Sequence, residues 1–220
     1  ANYNEKINFI LMYDVIDKKY KNIIEKIINK SGHEITWLHI SSSRFKEFPC
    51  SSWVTYAAWF RCLLPDLLPD LDKILYLDSD TIIRKSLVPL FYSDLNGATV
   101  GVIEDVSDSK KTAERLGLND GFYFNSGVML IDCQKWRAND TFKKIEKFVV
   151  ENKDKIVSSD QDTLNSVLDG QKHRVSPIYD YMEVWWRKNN CDYTGDYLAD
   201  YEYAKTDATI VHFTGEKPIS

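Results

Sequence analysis

The feature that most constrains the fold is an ordered alternation, near the start of the chain, of a short apolar run, an amphipathic segment and a second apolar run. Residues 7–13 (INFILMY) are rich in β-forming side chains, which indicates a buried strand. Residues 17–29 carry Tyr and Ile at helical spacing with Lys and Glu between them, and Ser31 and Gly32 end this helix. Residues 35–40 (ITWLHI) form a second strand. A strand, a helix and a strand in this order predict a parallel pair with a right-handed crossover.

The rest of the chain continues this alternation. We predict further strands over residues 71–77, 99–104, 127–132 and 208–213, and helices over residues 51–64, 141–152 and 161–168. Pro65 and Pro69 are expected to stop the first of these helices. No internal repeat, low-complexity segment or linker divides the 220 residues, so we predict one α/β domain over residues 1–220. Residues 176–205 are irregular and rich in Tyr and Trp, and we expect a small subdomain or lid there.

The charge of the chain argues against a nucleic-acid partner. The 28 basic and 33 acidic residues give a formal net charge of −5 and are spread along the sequence without a basic stripe. An anionic ligand must then be bound by a local device, such as a metal ion or a helix N-terminus.

Cysteine spacing and hydropathy bear on the compartment. The four cysteines show no CxxC spacing, which favours a reducing, cytosolic setting. The sequence has no apolar run of about 18 residues or more, and its first residues do not read as a signal peptide. We therefore expect a cytoplasmic protein, with peripheral association at the inner face of the membrane left open.

The strongest local signal for chemistry is the triplet Asp78-Ser79-Asp80, which follows a predicted buried strand. In an extended segment, residues i and i+2 point the same way, and strand C-termini in open parallel sheets border the ligand crevice. Two carboxylates on one side are costly unless a cation lies between them, and Mg²⁺ or Mn²⁺ fits that need. The alternative is a pair of acidic loop residues that caps the next element, and the triplet alone leaves both interpretations open.

A third ligand for such a metal is offered by His212, which follows the apolar segment 209–211. Gly215 would allow close backbone approach and Lys217 would act as a point charge on a phosphate. An imidazole among carboxylates favours Mn²⁺ over Mg²⁺. Taken alone, a histidine such as His212 is more often a strand-end residue with a satisfied hydrogen bond.

Three further polar segments accompany these residues. Glu104 and Asp105 end a predicted strand and should face the same crevice, whereas the segment 124–127 (FNSG) precedes another strand. The segment 124–127 indicates a turn at the sheet edge or contacts to sugar hydroxyls. The segment 160–162 (DQD) stands at a predicted helix start, and taken alone it is better explained by N-capping with an acidic first turn than by a ligand.

Together, four ordered motifs resemble the family 8 glycosyltransferases. They are YLDSD (76–80), YFNSGVMLID (123–132), DQDTLN (160–165) and HFTGEKP (212–218). These relatives are retaining enzymes with the GT-A fold, a Rossmann-like and mostly parallel sheet flanked by helices that binds nucleotide-diphospho-sugars. They include bacterial lipopolysaccharide galactosyl- and glucosyltransferases and glycogenin. The resemblance extends from the first predicted strand to Pro218.

This resemblance implies a role for each matching residue. Asp78, Asp80 and His212 would bind the metal, Gly215 and Lys217 the diphosphate, Arg61 and Ser79 the donor, Asp105 and Asn125 the donor sugar, and Asp160 and Gln161 would be catalytic. The implied metal is Mn²⁺, with Mg²⁺ as the alternative. The implied donor is UDP-glucose or UDP-galactose, and the implied acceptor is a glycan, glycolipid or glycoprotein, with residues 176–205 on the acceptor side.

Two departures from the family pattern accompany the match. The strand that usually opens the family, with its A-x-D-x-x-Y turn for uracil and ribose, is missing, and we prefer a trimmed N-terminus as the reason. The tail reads G-E-K-P-I where the family often has G-x-x-K-P-W, so one residue is missing between Gly215 and Lys217.

The predicted mechanism is substitution at the front face of the sugar, because Gln161 is a poor nucleophile and no carboxylate can be named as one. Two alternatives remain. One is a non-catalytic nucleotide-sugar-binding module of the same fold. The other is a phosphotransferase of the haloacid-dehalogenase type, which also places D-x-D after a buried strand but prefers Thr or Val where this chain has Ile82.

Overall fold

The computed structural model describes residues 6–50, 55–106, 109–182 and 193–214. The strands are β1 (Asn8–Tyr13), β2 (Glu34–His39), β3 (Lys73–Leu77), β4 (Thr81–Ile83), β5 (Val100–Glu104), β6 (Phe124–Asp132), β7 (Lys172–Arg174), β8 (Tyr181–Met182) and β9 (Ile210–His212). The α-helices are α1 (Lys18–Lys30), α2 (Leu64–Leu67), α3 (Val88–Phe91), α4 (Ser109–Leu116), α5 (Cys133–Ala138), α6 (Thr141–Asn152), α7 (Ser159–Val167) and α8 (Gly195–Asp207). None of the helices in these ranges is long and apolar enough to cross a bilayer.

The N-terminal strand–helix–strand unit confirms the prediction from hydrophobic periodicity. The Asp17 carboxylate accepts a hydrogen bond from the backbone N–H of Lys19 and caps α1. Gly32 ends the helix with a φ of 77°, a left-handed conformation that glycine adopts without strain. β1 and β2 pair in parallel along their whole length.

The central sheet of four strands has the order β3-β6-β5-β7. β6 runs antiparallel to both β3 and β5, whereas β5 and β7 are parallel. A third sheet, β4-β9-β8, has one antiparallel and one parallel pair. The α/β class is confirmed, but the expectation of a mostly parallel sheet is wrong for the described strands, which are mixed. The connection between β5 and β6, which contains α4, begins and ends at the same end of the sheet. The two neighbouring strands are therefore antiparallel.

The core lies on both faces of β6, of which every residue except Asp132 is buried. Phe124, Met129 and Ile131 pack into one apolar cluster and Val128 into a second one. Full burial of such side chains stabilises the fold by about 1.5–3 kcal/mol each. β6 is therefore held in place by packing on both faces, and this includes its first residues, the FNSG segment.

The predicted helix over residues 51–64 takes a different form. The chain forms a 3₁₀-helix over Tyr56–Leu63 and continues into α2, and Ser51 and Ser52 lie outside the described residues. Pro65 does not stop a helix. It occupies the first turn of α2, where a missing N–H leaves no hydrogen bond unmade.

The region 176–205 is more regular than expected. It contains a 3₁₀-helix (Pro177–Tyr179), β8 and most of α8, of which Tyr201 and Ala204 are buried. Residues 183–192 lie outside the described part. A single domain over residues 1–220 and a lid over residues 176–205 remain predictions.

Candidate functional site

The triplet Asp78-Ser79-Asp80 forms the turn between β3 and β4. The hydroxyl of Thr81 donates to the carbonyl oxygen of Asp78 at 2.8 Å and closes this turn, with Ser79 exposed. Because the segment is a turn, the extended-chain reason for two carboxylates on one side is wrong. The carboxylates nevertheless come together, because the turn bends both toward the same neighbour.

That neighbour is His212 at the end of β9. The pairing of Thr81 with His212, and a hydrogen bond of 3.0 Å from the Phe213 N–H to the Asp80 carbonyl oxygen, hold β9 beside the turn. Nε2 of His212 lies 3.3 Å from Oδ1 of Asp80 and 3.9 Å from Oδ2 of Asp78. One ligand atom of each of the three side chains lies within 4.8 Å of the others. Two carboxylate oxygens and an imidazole nitrogen form a donor set that suits a divalent cation.

The other nitrogen of the His212 ring contacts a residue that the sequence did not single out. Nδ1 lies 2.9 Å from Oδ1 of Asp180, which is fully buried. Burial opposes the charge on the imidazole, but the Asp180 and Asp80 carboxylates outweigh it and raise the pKa of His212 to about 10. A lone acidic residue in an irregular segment carries no periodicity or motif that could have revealed it.

Gly127, the last residue of the FNSG segment, lies against the candidate ligands. A Cβ atom at this position would lie 2.2 Å from Cε1 of His212 and 2.9 Å from Oδ2 of Asp78. Only a residue without a side chain lets β6 approach the three groups this closely. The glycine therefore belongs to the site and is not simply part of a turn at the sheet edge.

Arg61 lies beside this cluster with its side chain only 7% exposed. Nη2 is 2.9 Å from Oδ1 of Asp78 and Nε is 3.2 Å from Oδ2 of Asp160. Nη1 donates to the carbonyl oxygen of Ser126 at 2.6 Å, and the guanidinium lies over the ring of Tyr76. Burial works against the charge, but these carboxylates and Tyr76 outweigh it and raise the pKa of Arg61. Arg61 thus joins the D-x-D turn to the start of α7.

At that start, Asp160 is buried beside Arg61 and Ser126. Its Oδ2 accepts a hydrogen bond of 3.3 Å from the Ser126 hydroxyl in addition to the ion pair with Arg61. Burial raises the pKa of Asp160, and Arg61 acts in the opposite direction. The carboxylate is therefore held in one orientation by two partners.

The amide of Gln161 bridges the backbone of Ser126 and the predicted site residue Asp105. Its Oε1 accepts from the backbone N–H of Ser126 at 3.1 Å, and its Nε2 donates to Oδ2 of Asp105 at 3.1 Å. Asn125 donates to the same Asp105 oxygen at 3.4 Å and accepts from the Gly127 N–H at 2.8 Å. The structure thus brings Asp105, Asn125 and Gln161 together, next to Gly127 and the metal-ligand candidates.

Two acidic neighbours of these residues serve the fold. Asp162 is fully buried and accepts two hydrogen bonds from Arg115 and one from the hydroxyl of Tyr123. Glu104 is paired with Nε of Arg174 at 2.9 Å, and burial raises the pKa of its carboxyl. Asp105 contacts Asn125 and Gln161, whereas Glu104 faces Arg174.

The predicted diphosphate ligands Gly215 and Lys217 lie outside the described residues. Their roles therefore stay predictions from the resemblance. The same holds for the shortened spacing between them.

This chain is similar to known proteins over most of its length. Residues 1–218 match the family model described as Glycosyl transferase family 8. General stress protein A of Bacillus subtilis (strain 168) is 30% identical over 203 residues, which cover 90% of this chain and 71% of that protein. The lipopolysaccharide 1,2-glucosyltransferase of Escherichia coli (strain K12) is 28% identical over 220 residues, covering 97% of this chain and 64% of that protein. The lipopolysaccharide 1,3-galactosyltransferase of Salmonella typhimurium is 30% identical over 179 residues, covering 76% and 52%.

A solved structure shows the same fold. The galactosyltransferase LgtC, crystallised with donor and acceptor sugar analogues, matches with a TM-score of 0.87 and 26% identity over 96% of this chain and 78% of that chain. The chain spans less than two thirds of the length of the two lipopolysaccharide transferases. The predicted GT-A fold and the predicted family are both confirmed: this chain belongs to glycosyl transferase family 8.

Proposed function

We propose that the protein is a metal-dependent, retaining hexosyltransferase that moves glucose or galactose from a UDP-sugar to a saccharide or glycoconjugate acceptor. The observation that carries the proposal is the convergence of Asp78, Asp80 and His212 within 4.8 Å of one another. The relatives named as glucosyl- and galactosyltransferases support a hexose as the transferred group.

Asp78, Asp80 and His212 would hold the metal. When bound, a divalent cation supplies Lewis-acid stabilisation of the charge that develops on the departing diphosphate. The imidazole favours Mn²⁺, with Mg²⁺ as the alternative, because Mg²⁺ prefers a shell of oxygen atoms alone. Lys217 and Gly215 would bind the same diphosphate.

The groups around Gln161 would hold the donor sugar. Asp105, Asn125 and Gln161 form a hydrogen-bonded set that lies directly after β5 and at the starts of α7 and β6. Because each of these side chains is fixed by a neighbour, the set can position a sugar without first being ordered. Arg61 and Ser79 complete the donor side of the proposal.

Retention would follow from substitution at the front face of the sugar. Asp160 is tied to Arg61 and Ser126, and Gln161 is an amide, so neither is a free nucleophile. Both oxygens of Asp162 are occupied by Arg115 in a fully buried position. A glycosyl adduct on Asp160 or Asp162, trapped and located by mass spectrometry, would contradict this part of the proposal.

The acceptor would be a glycan, glycolipid or glycoprotein that approaches from the side of residues 176–205. With a lipid-linked acceptor, the protein would associate peripherally with the inner face of the membrane. Nucleic acid is not proposed as a partner.

The test is a donor screen in the presence of Mn²⁺, with release of UDP from UDP-glucose and UDP-galactose and intact masses of the products as readouts. Asp80→Asn should abolish turnover and keep the fold. Asp154→Asn, at an exposed position of the 3₁₀ segment Lys153–Lys155, removes the same charge and should leave turnover unchanged. Full activity in Asp80→Asn would refute the metal assignment.

Two other outcomes would point to the alternatives. Binding of UDP-sugars without release of UDP from either donor would favour a non-catalytic nucleotide-sugar-binding module. Hydrolysis of an aryl phosphate without UDP-sugar turnover would favour a phosphotransferase of the haloacid-dehalogenase type.

A further inference from the structure

Asp180 is a buried acid for which the reaction described above has no role. It follows the 3₁₀-helix Pro177–Tyr179 and directly precedes β8, and its side chain is fully buried. Oδ1 lies 2.9 Å from Nδ1 of His212. Oδ2 has no hydrogen-bond partner within the described ranges. A buried carboxylate with an unpaired oxygen is unfavourable for folding, so its presence calls for a reason other than stability.

The backbone around Asp180 is held at a fixed distance from His212. β8 pairs in parallel with β9, with Met182 opposite His212. The N–H of Thr209 donates to the carbonyl oxygen of Ile178 at 2.7 Å and fixes the other end of the same segment. The pairing of β8 with β9 therefore holds the Asp180 carboxylate against the imidazole. A rotation of the ring would break the contact between Nδ1 of His212 and Oδ1 of Asp180.

The orientation of the ring decides which nitrogen reaches the D-x-D turn. With Nδ1 donating its proton to Asp180, only Nε2 faces Asp78 and Asp80. A histidine that binds a metal through one nitrogen commonly donates the other N–H to a carboxylate, which fixes the ring and makes it a better donor. The same arrangement is found here, with the histidine on β9 and the carboxylate directly before β8.

We propose that Asp180 is a positioning residue that sets the orientation and the donor strength of His212 for a divalent cation. This inference rests on the proposed function, because it assigns the cation site to Asp78, Asp80 and His212. Asp180 makes no contact with the cation or the sugar in this proposal and acts through His212 alone.

The experiment compares the wild-type chain with Asp180→Ala, Asp180→Asn and a control, Asp162→Asn. Asp162 is also a fully buried aspartate, and its partners Arg115 and Tyr123 hold it away from His212. The Kd of Mn²⁺ is measured in the absence of donor by electron paramagnetic resonance of the free ion, and unfolding is followed by circular dichroism. Turnover is then measured over a range of Mn²⁺ concentrations.

Asp180→Ala should weaken Mn²⁺ binding by about 10–100-fold, the usual cost of losing such a partner. Asp180→Asn keeps an oxygen that accepts the Nδ1 proton, so its Mn²⁺ affinity should fall less, by several-fold, and saturating Mn²⁺ should restore most of its kcat. Asp162→Asn should lower the unfolding temperature and leave the Mn²⁺ Kd unchanged. A purely structural role for Asp180 would reduce kcat at every Mn²⁺ concentration without moving the Kd.

The outcomes separate this proposal from the function on which it rests. A wild-type chain that does not bind Mn²⁺ overturns both. A wild-type chain that binds Mn²⁺, with unchanged affinity in folded Asp180→Ala, overturns only the role of Asp180. If Asp180→Ala does not fold, an unchanged Kd in Asp180→Asn overturns it, and so does an equal loss of affinity in Asp162→Asn.

Discussion

The most direct test of the site geometry is the addition of one methyl group at Gly127. This residue lies within β6 without a positive φ, so alanine fits its backbone and any effect comes from the new Cβ. That atom would lie 2.2 Å from Cε1 of His212 and 2.9 Å from Oδ1 of Asn125 and Oδ2 of Asp78. All three atoms belong to the proposed metal or sugar site.

The magnitude follows from the overlap. An ordinary carbon–carbon contact is about 3.4 Å or longer, so the imidazole must retreat by roughly 1.2 Å or β6 must shift. Overpacking of this kind typically costs about 1–3 kcal/mol of stability. A displacement of about 1 Å in a catalytic group can reduce turnover on the order of 10²-fold. We therefore expect Gly127→Ala to fold, to bind Mn²⁺ at least about tenfold more weakly, and to turn over about 10²-fold more slowly.

A matched control lies on the neighbouring strand. A Cβ at Gly101 of β5 would lie 2.6 Å from Cδ2 of Leu95 and 3.2 Å from Cγ1 of Val175, both apolar side chains outside the site. Gly101→Ala should lose a similar amount of stability in urea unfolding and retain the wild-type Mn²⁺ affinity and kcat. If Gly127→Ala retained both as well, the close packing of β6 against His212 would have no part in function, and the reasoning would be refuted.

The remaining predictions concern charges on and near the site. Arg61→Ala leaves Asp160 buried beside Asp78 without its cation, and should cost roughly 3–5 kcal/mol in urea unfolding; a loss below about 1 kcal/mol would contradict this. Arg115→Ala should cost about 1–3 kcal/mol, since Arg115 is partly exposed and Asp162 keeps other hydrogen bonds; wild-type stability would be the contrary result. Burial opposes the ionised form of Asp169, but N–H groups of Asn119 and Asp120 outweigh it and lower its pKa. The stability from these bonds is present above the pKa of Asp169 in the unfolded chain and is lost as the pH falls through its folded pKa. Asp169→Asn should therefore reduce the slope of unfolding free energy against pH below about pH 4, and an unchanged slope would refute this.

Local signals in the sequence predicted elements whose ends are set by single residues. α6 begins and ends where the apolar spacing of residues 141–152 predicted. α1 lies within one residue of its prediction, because Asp17 caps it and Gly32 ends it. The short strands β4 and β8, of three and two residues, escaped prediction since so few residues show no period. They exist because their neighbour β9 offers backbone groups to pair with.

The site shows the same division between local and distant causes. The D-x-D motif and the FNSG and DQD segments could be recognised as short strings, but their contacts join parts of the chain far apart. Arg61 contacts Ser126 across 65 residues, and Asp180 contacts His212 across 32. No pattern within a window of one helix or strand reports such a pair, because strand order and register decide it.

The turn at Asp78–Asp80 shows how the proximity of two side chains can be predicted for an incomplete reason. The sequence argument placed both carboxylates on one side of an extended strand, whereas the strand ends at Leu77 and the chain turns there. What brings the carboxylates together is the pairing of β4 with β9, which sets Thr81 opposite His212 and lays the turn against the imidazole. The same D-x-D motif in a chain without β9 would lack the third candidate ligand. The proposed cation site therefore depends on His212, and replacing His212 with Ala should remove Mn²⁺ binding even though both aspartates remain.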